Sequence, residues 1–214
     1  MSFVDHLTAP EKKILRGFTL PIDIQTYLDS LPYIGEDLNR TPVQVIRENQ
    51  CHCLDGGLFA AAALRALGFQ PTIMDLVPEP GTDDDHVLAV FKYNQRYGAV
   101  AKSNFAGLRY REPVYSSLRE LAISYFEMFY NIEGYKTLRG YTRPMNLAHY
   151  DRYDWETKQS GVDIVVNKFY SLKNTPLLNE KGVQYLSPVD RRSYEAGMLG
   201  TNFDGLYKPA VGLE

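Results

Sequence analysis

Apolar residues are concentrated in the middle of the chain, where they form one helix-like run and several strand-like runs. The run from Cys53 to Leu67 is apolar nearly all round, which predicts a helix covered on most of its sides. Gly68 follows this run and is expected to end the helix. Shorter runs rich in β-branched and aromatic residues come next and predict strands over 71–77, 86–93 and 97–104.

Helix-start signals precede the central run. Thr41 is a typical N-cap residue, Pro42 suits the first helical position, and Gln44 occupies the capping-box position, so a short helix ending near Asn49 is predicted. Before it, residues 1–40 indicate short helices interrupted by prolines.

Further helices are predicted after the strands. Ser117 and Glu120 form a capping box ahead of apolar positions at helical spacing. Two more helices are expected over 163–172 and 187–200. Because helices flank a small antiparallel sheet in this order, the pattern predicts an α+β fold.

The length of 214 residues suits one well-cored domain, 1–214, in which 131–214 is expected to be a helical C-terminal elaboration. Apolar residues make up 44% and charged residues 23%, a balance that excludes disorder as the main state. The net charge of −3 argues against a nucleic-acid partner, which would favour a basic excess.

Neither a membrane span nor a signal peptide is indicated by the sequence. The longest apolar run, Leu58 to Leu64, is much shorter than the roughly 20 residues that a span needs. The N-terminus has no basic stretch followed by an apolar one. We therefore expect a cytoplasmic protein in which Cys51 and Cys53 are free thiols.

Gly56 and Gly57 lie in the first turn of the central helix. Each costs about 1 kcal/mol relative to alanine in a helix interior. Close approach of another backbone or of a substrate would explain them, and so would a simple packing contact.

Cys53 is the candidate nucleophile. It falls at the N-terminal end of the buried helix, where unpaired N–H groups and the helix dipole favour a thiolate. Cys51 lies just outside the helix and receives less of this help. Gln50, just before them, is a candidate oxyanion donor beside the backbone N–H of Cys53.

A thiol nucleophile needs a base, and among the four histidines His86 is the best placed, at the start of a strand. An orienting residue is expected across the hairpin. A turn of two residues would place Ser103 opposite His86, and a turn of three would place Asn104 there. The carbonyl of an asparagine suits the role because it can accept the ring N–H.

These residues resemble the transglutaminase-like superfamily. Cys53-Leu54-Asp55 followed by Leu64-Arg65-Ala66-Leu67-Gly68 is similar to its nucleophile helix, and the spacing to Gly68 matches Cys53 rather than Cys51. His86-Val87-Leu88-Ala89-Val90 resembles its histidine strand. The family's third residue, usually aspartate, is replaced here by Ser103 or Asn104.

The resemblance covers roughly residues 41–130 and implies a papain-like core, in which a buried helix carrying cysteine packs on a small antiparallel sheet. It implies thiol-dependent acyl transfer on an amide- or peptide-containing substrate through a Cys53-His86-Asn104 triad, with no cofactor. Water as acceptor gives a hydrolase of the amidase or peptidase kind, and an amine gives transamidation.

Two other interpretations remain open. One is a catalytically silent scaffold or binding protein that keeps this fold. Alternatively, Cys51, His52, Cys53 and His86 provide nitrogen and sulfur ligands suited to zinc, although the spacing of the two cysteines is tighter than in common zinc sites. The acidic residues Asp83 to Asp85 are expected in a solvated loop.

Overall fold

The structure, a computed structural model, describes residues 3–207. Its α-helices in chain order are α1 (Ala9–Arg16), α2 (Pro21–Ser30), α3 (Pro42–Glu48), α4 (Cys53–Ala66), α5 (Leu118–Ile123), α6 (Gln159–Phe169), α7 (Glu180–Gln184) and α8 (Arg191–Gly197). Short 3-10 helices cover Phe3–His6, Ala106–Leu108, Phe126–Met128, Leu147–Tyr153 and Phe203–Gly205.

The strands form one antiparallel sheet. They are β1 (Thr72–Pro78), β2 (His86–Tyr93), β3 (Arg96–Val100), β4 (Arg111–Tyr115), β5 (Leu138–Thr142), β6 (Met145–Asn146) and β7 (Asn174–Pro176). Their order is β4-β3-β2-β1-β5-β7, and β6 pairs with part of β1. The predicted α+β class with a small antiparallel sheet and flanking helices is confirmed.

The hairpin of β2 and β3 has the shorter of the two predicted turns. Tyr93 pairs with Arg96, which leaves Asn94 and Gln95 as the turn residues. Both have positive φ, 45° and 63°, as a tight hairpin turn requires. The ladder ends where Ala89 pairs with Val100, so it does not continue to His86.

Helices cover both faces of the sheet. On one face α4 lies in a core shared with α2, α3 and α6, and the residues that β2 contributes to it are Val87, Ala89 and Phe91. On the other face α5 packs in a second core with Leu88 and Val90. Because successive side chains of a strand point to opposite faces, β2 is buried on both of its sides.

The local helix signals are confirmed around α3 and α4. Thr41 forms a complete capping box with Gln44, with Pro42 at the first position of α3. Cys53 is the first residue of α4, and Gly68, with φ of 89°, follows the end of this helix.

The second half of the chain differs from expectation in one major respect. After residue 130 the chain is not only helical, because β5, β6 and β7 all lie there and β5 pairs directly with β1 in the middle of the sheet. The helix expected over 163–172 spans Gln159–Phe169. The one expected over 187–200 is confined to Arg191–Gly197, because the carboxylate of Asp190 caps its first turn.

Within residues 3–207, every helix is too short or too polar to cross a membrane.

Candidate functional site

The N-terminus of α4 is held by a histidine cap. Nδ1 of His52 accepts a hydrogen bond from the backbone N–H of Leu54 at 3.2 Å, and Nε2 lies 3.1 Å from the carbonyl oxygen of Leu38. These two partners fit a neutral ring that carries its proton on Nε2 and donates it to Leu38. His52 is therefore the structural reason why the helix begins at Cys53.

A buried ion pair fixes the same turn. Asp55 is fully buried and accepts a hydrogen bond of 2.6 Å from the backbone N–H of Arg40, whose guanidinium lies 3.4 Å from the other carboxylate oxygen. Arg40 also binds Glu36 and Glu48. Burial raises the pKa of Asp55, and the backbone hydrogen bond and the charge of Arg40 oppose this rise. The network ties the loop before α3 to the start of α4.

Cys53 is in the place that the sequence predicts, but its electrostatic surroundings are not those expected. The side chain is 7% exposed, and Sγ lies 3.8 Å from the carbonyl oxygen of Asp85. Burial, followed by the negative charges of Asp85 and Asp84, raises the pKa of the thiol well above its ordinary value. The expected lowering by the helix N-terminus is therefore outweighed by desolvation and by neighbouring carboxylates.

His86 begins β2 as predicted, but its side chain lies on the far face of the sheet from Cys53. Val87 faces α4, since a Cβ on Gly57 would come within 2.7 Å of Val87 Cγ1. By alternation His86 faces the opposite core, where its ring contacts Tyr125 at a centroid distance of 6.3 Å. The structure does not bring the predicted nucleophile and base together.

The histidine is instead held in a buried, neutral form. His86 Nε2 lies 2.7 Å from the carbonyl oxygen of Leu108, which takes the orienting role expected of a residue on β3. Burial lowers the pKa of His86 to about 4, and the nearby charge of Arg111 adds to this. Near neutral pH the ring is therefore uncharged and packed as part of the core.

The two candidate orienting residues lie near His86 but bind other groups. Ser103 Oγ accepts from the backbone N–H of Phe105 at 2.9 Å, and Asn104 binds the backbone of Asn202. With His86 they line a small cavity of about 40 Å³. Gln50 lies half-buried between α3 and α4, and its oxyanion role stays a prediction.

A pair of carboxyl groups that the sequence reasoning missed lies beside Cys53. Asp75 of β1 is directly opposite Val87 in the ladder, so its side chain shares the face that carries α4. It is 6% exposed, and its Oδ1 has no hydrogen-bond donor among the described residues. Asp85 is half-buried and within hydrogen-bonding reach of this carboxyl.

Burial and mutual repulsion raise the pKa of both groups. Burial is the largest cause for each, followed by the charge of Asp85 on Asp75 and by that of Asp84 on Asp85. Two carboxylates this close cannot both ionise readily, so the pair holds one proton between them near neutral pH.

Two tyrosines complete the surroundings of the thiol. The hydroxyl of Tyr170, just after α6, lies 3.3 and 3.5 Å from the carboxylate oxygens of Asp85. The phenol of Tyr33 neighbours the Cys53 thiol, and burial raises its pKa well above the ordinary value. One feature of the sequence could have indicated this site. Asp75 is a charged residue in the middle of the otherwise apolar strand β1.

The four ligands of the zinc interpretation are dispersed. Cys51 is buried in the core between α2 and α4, His52 caps α4, and His86 lies across the sheet. Among residues 3–207, no three His, Cys, Asp or Glu side chains are grouped in a way that would hold a metal ion.

No protein-family model matches the chain, and no curated protein matches it closely enough to indicate a relationship. The function is therefore inferred from the side chains around Cys53.

Proposed function

We propose that the chain is a thiol-dependent acyl-transfer enzyme that acts on amide bonds and has a transglutaminase-like, papain-like arrangement. The observation that carries the proposal is the meeting of Cys53, at the first residue of the buried helix α4, with the carboxyl pair of Asp75 and Asp85. Acyl transfer requires a nucleophile beside a group that can accept its proton and return it.

In this proposal Asp85, rather than His86, accepts the thiol proton. A thiol with a raised pKa is a poor thiolate source, so its proton must leave in the same step as the attack. Asp75 is less exposed to solvent than Asp85, and its pKa is raised further, so Asp75 retains the shared proton more strongly. Asp85 is then the ionised partner, and its raised pKa suits a base near neutral pH.

The reaction balances with these groups alone. Sγ of Cys53 attacks the amide carbon while its proton passes to Asp85, and the carbonyl oxygen becomes an oxyanion. Asp85 returns the proton to the nitrogen as the carbon–nitrogen bond breaks, which leaves a thioester and a free amine. Water, deprotonated by Asp85, then hydrolyses the thioester and restores the thiol. An amine in place of water gives transamidation.

The second candidate is a catalytically silent scaffold or binding protein of the same fold. The separation of His86 from Cys53 and the raised pKa of the thiol favour it specifically. It predicts no amide turnover and no dependence of any turnover on Asp85.

Two measurements on the same variants distinguish these candidates. Hydrolysis of a panel of peptide p-nitroanilides is followed alongside alkylation of Cys53 by iodoacetamide at pH 8, which is read by peptide mapping with Cys51 as the internal reference. We expect Asp85→Asn to lower hydrolysis by about 100-fold or more, the usual loss on removal of a general base. The same variant should alkylate faster, since it removes a negative charge that disfavours the thiolate.

Asp83→Asn is the matched control. Asp83 lies in the same acidic run but binds the hydroxyl of Thr137, and both rates should stay near those of the wild type. Cys53→Ser should abolish hydrolysis, whereas His86→Gln should keep most of it. Hydrolysis that survives Cys53→Ser, or hydrolysis that Asp85→Asn leaves unchanged, would refute the proposal and leave the silent scaffold.

A further inference from the structure

The last described segment of the chain crosses the edge of the candidate site. Residues 199–207 follow α8 and are called the C-terminal strap here. Asn104 binds both main-chain groups of Asn202, because Asn104 Oδ1 accepts its N–H at 2.8 Å and Asn104 Nδ2 donates to its carbonyl oxygen at 2.9 Å. A side-chain amide that binds the N–H and C=O of one residue recognises polypeptide backbone, whatever the side chain.

The strap is anchored on its other side by the loop that precedes α3. Nδ2 of Asn202 donates to the carbonyl oxygen of Tyr33 at 2.9 Å. Further along, Gly205 lies against Gly35 so closely that a Cβ on Gly35 would come within 2.9 Å of Gly205 Cα. The strap therefore fills a slot between residues 32–35 and residues 103–105.

The strap contacts the ring of Tyr33, which lies beside the thiol of Cys53. A Cβ on Gly205 would come within 3.1 Å of Cδ1 in the ring of Tyr33, and the hydroxyl of that ring neighbours the thiol of Cys53. Gly205 and Tyr207 also close the cavity of about 40 Å³ that His86 lines. With the strap in place, Tyr33 is held over the thiol, which is only 7% exposed.

We propose that the slot between residues 32–35 and 103–105 is a binding groove for an extended polypeptide, and that the C-terminal strap occupies it as an internal ligand that shuts off Cys53. An open cleft of about 570 Å³ runs beside the strap and is bordered by Asp29, Ser103 and Arg109, which gives a longer peptide room to continue. The inference deepens the proposed function by naming a peptide as the substrate class, and it rests on that function only in treating Cys53 as the reactive group.

The first test is the alkylation rate of Cys53 in the full chain, measured with iodoacetamide alongside hydrogen exchange of residues 199–207. Asn202→Ala removes one bond between the strap and the groove, the one to Tyr33, together with a cap bond inside the strap to the N–H of Asp204. Asn104→Ala removes two bonds between the groove and the strap backbone. Since each lost hydrogen bond corresponds to roughly a fivefold change in an equilibrium, we expect alkylation to accelerate about fivefold and about 25-fold respectively. The rate of hydrogen exchange in the strap should rise together with the alkylation rate, and the rate of hydrogen exchange in α4 should stay unchanged.

Asn179→Ala is the matched control, because it removes an N-cap bond of 2.9 Å to Gly182 at the start of α7, outside the groove. If Asn104→Ala does not fold, Gly35→Ala takes its place, since its methyl group pushes directly against Gly205.

The second test supplies the strap as a separate molecule. A synthetic peptide of residues 198–207, added at millimolar concentration to the Asn202→Ala protein, should slow alkylation of Cys53 towards the wild-type rate. It should have no effect on the Asn104→Ala protein.

Two results would overturn the inference. One is faster exchange in the strap with unchanged alkylation, or no change in either, because the strap would then not guard the thiol. The other is failure of the peptide to slow alkylation of the Asn202→Ala protein. Neither measurement needs amide turnover. Absence of hydrolysis by the Asn202→Ala and Asn104→Ala proteins, in which the strap is loosened, would refute the proposed function and leave the groove to be decided by these rates.

Discussion

Gly57 is a point of very close approach between α4 and β2, and replacing it with alanine tests how the helix is seated on the sheet. A Cβ built on Gly57 would lie 2.7 Å from Cγ1 and 3.3 Å from Cβ of Val87. Val87 is fully buried and β-branched, so it has little freedom to turn away. Either the helix or the strand must shift to accept the methyl group.

The magnitude follows from two opposing effects. Alanine is favoured over glycine in a helix interior by about 1 kcal/mol. Overpacking a close-packed core costs about 1–3 kcal/mol. We expect Gly57→Ala to lower the free energy of unfolding by about 1 kcal/mol. In a Val87→Ala background the obstructing Cγ1 is absent, and the same substitution should raise it by about 1 kcal/mol.

The assay is a double-mutant cycle in urea. Trp155 is the only tryptophan of the chain and is fully buried, so its fluorescence reports unfolding. The expected coupling energy between the two sites is about 2 kcal/mol, within the range for residues in contact. The reasoning is refuted if the two substitutions add to within about 0.5 kcal/mol, or if Gly57→Ala stabilises the otherwise unchanged protein.

Two further predictions concern buried charges. Because burial lowers the pKa of His86 to about 4, the unfolded chain binds a proton there first, so the wild type should lose stability as the pH falls from 6.5 to 4. Urea unfolding at each pH should show that His86→Gln removes about 3 kcal/mol of this loss in the free energy of unfolding. Identical pH dependence of the two proteins would contradict this prediction. Arg40→Ala leaves the buried carboxylate of Asp55 without its ion-pair partner and should cost about 3–5 kcal/mol, measured by the same urea unfolding. A loss below about 1 kcal/mol would show that Asp55 takes up a proton or water instead.

The glycines at the start of α4 illustrate how a sequence feature acquires its explanation. The sequence showed that Gly56 and Gly57 carry a helix-propensity cost, and it left open whether a backbone, a substrate or packing required them. The structure places Lys102 over Gly56 and Val87 over Gly57. Packing of the helix on the sheet is therefore the reason, and no substrate is needed to account for them.

The sequence could not assign a role to side chains whose role depends on which face of the sheet they lie on. His86 opens an apolar strand that is buried on both sides, so no polar alternation in Val87 to Phe91 shows which face belongs to α4. The side chain of Asn104 binds the backbone of Asn202, a residue that is far away along the chain. Pairings of this kind leave no mark in a local window of sequence.

Features that arise from contacts within a few residues could be predicted from the sequence. The capping box of Thr41, the start of α4 at Cys53 and the hairpin between β2 and β3 all follow from short-range hydrogen bonds and allowed backbone angles. Tertiary structure alone decided that Asp75 and Asp85, rather than His86, stand beside the thiol. It also placed β5, from beyond residue 130, between β1 and β7 in the sheet. The physical reason is that strand pairing and the choice of face are fixed by packing between distant segments, whereas caps and turns are fixed locally.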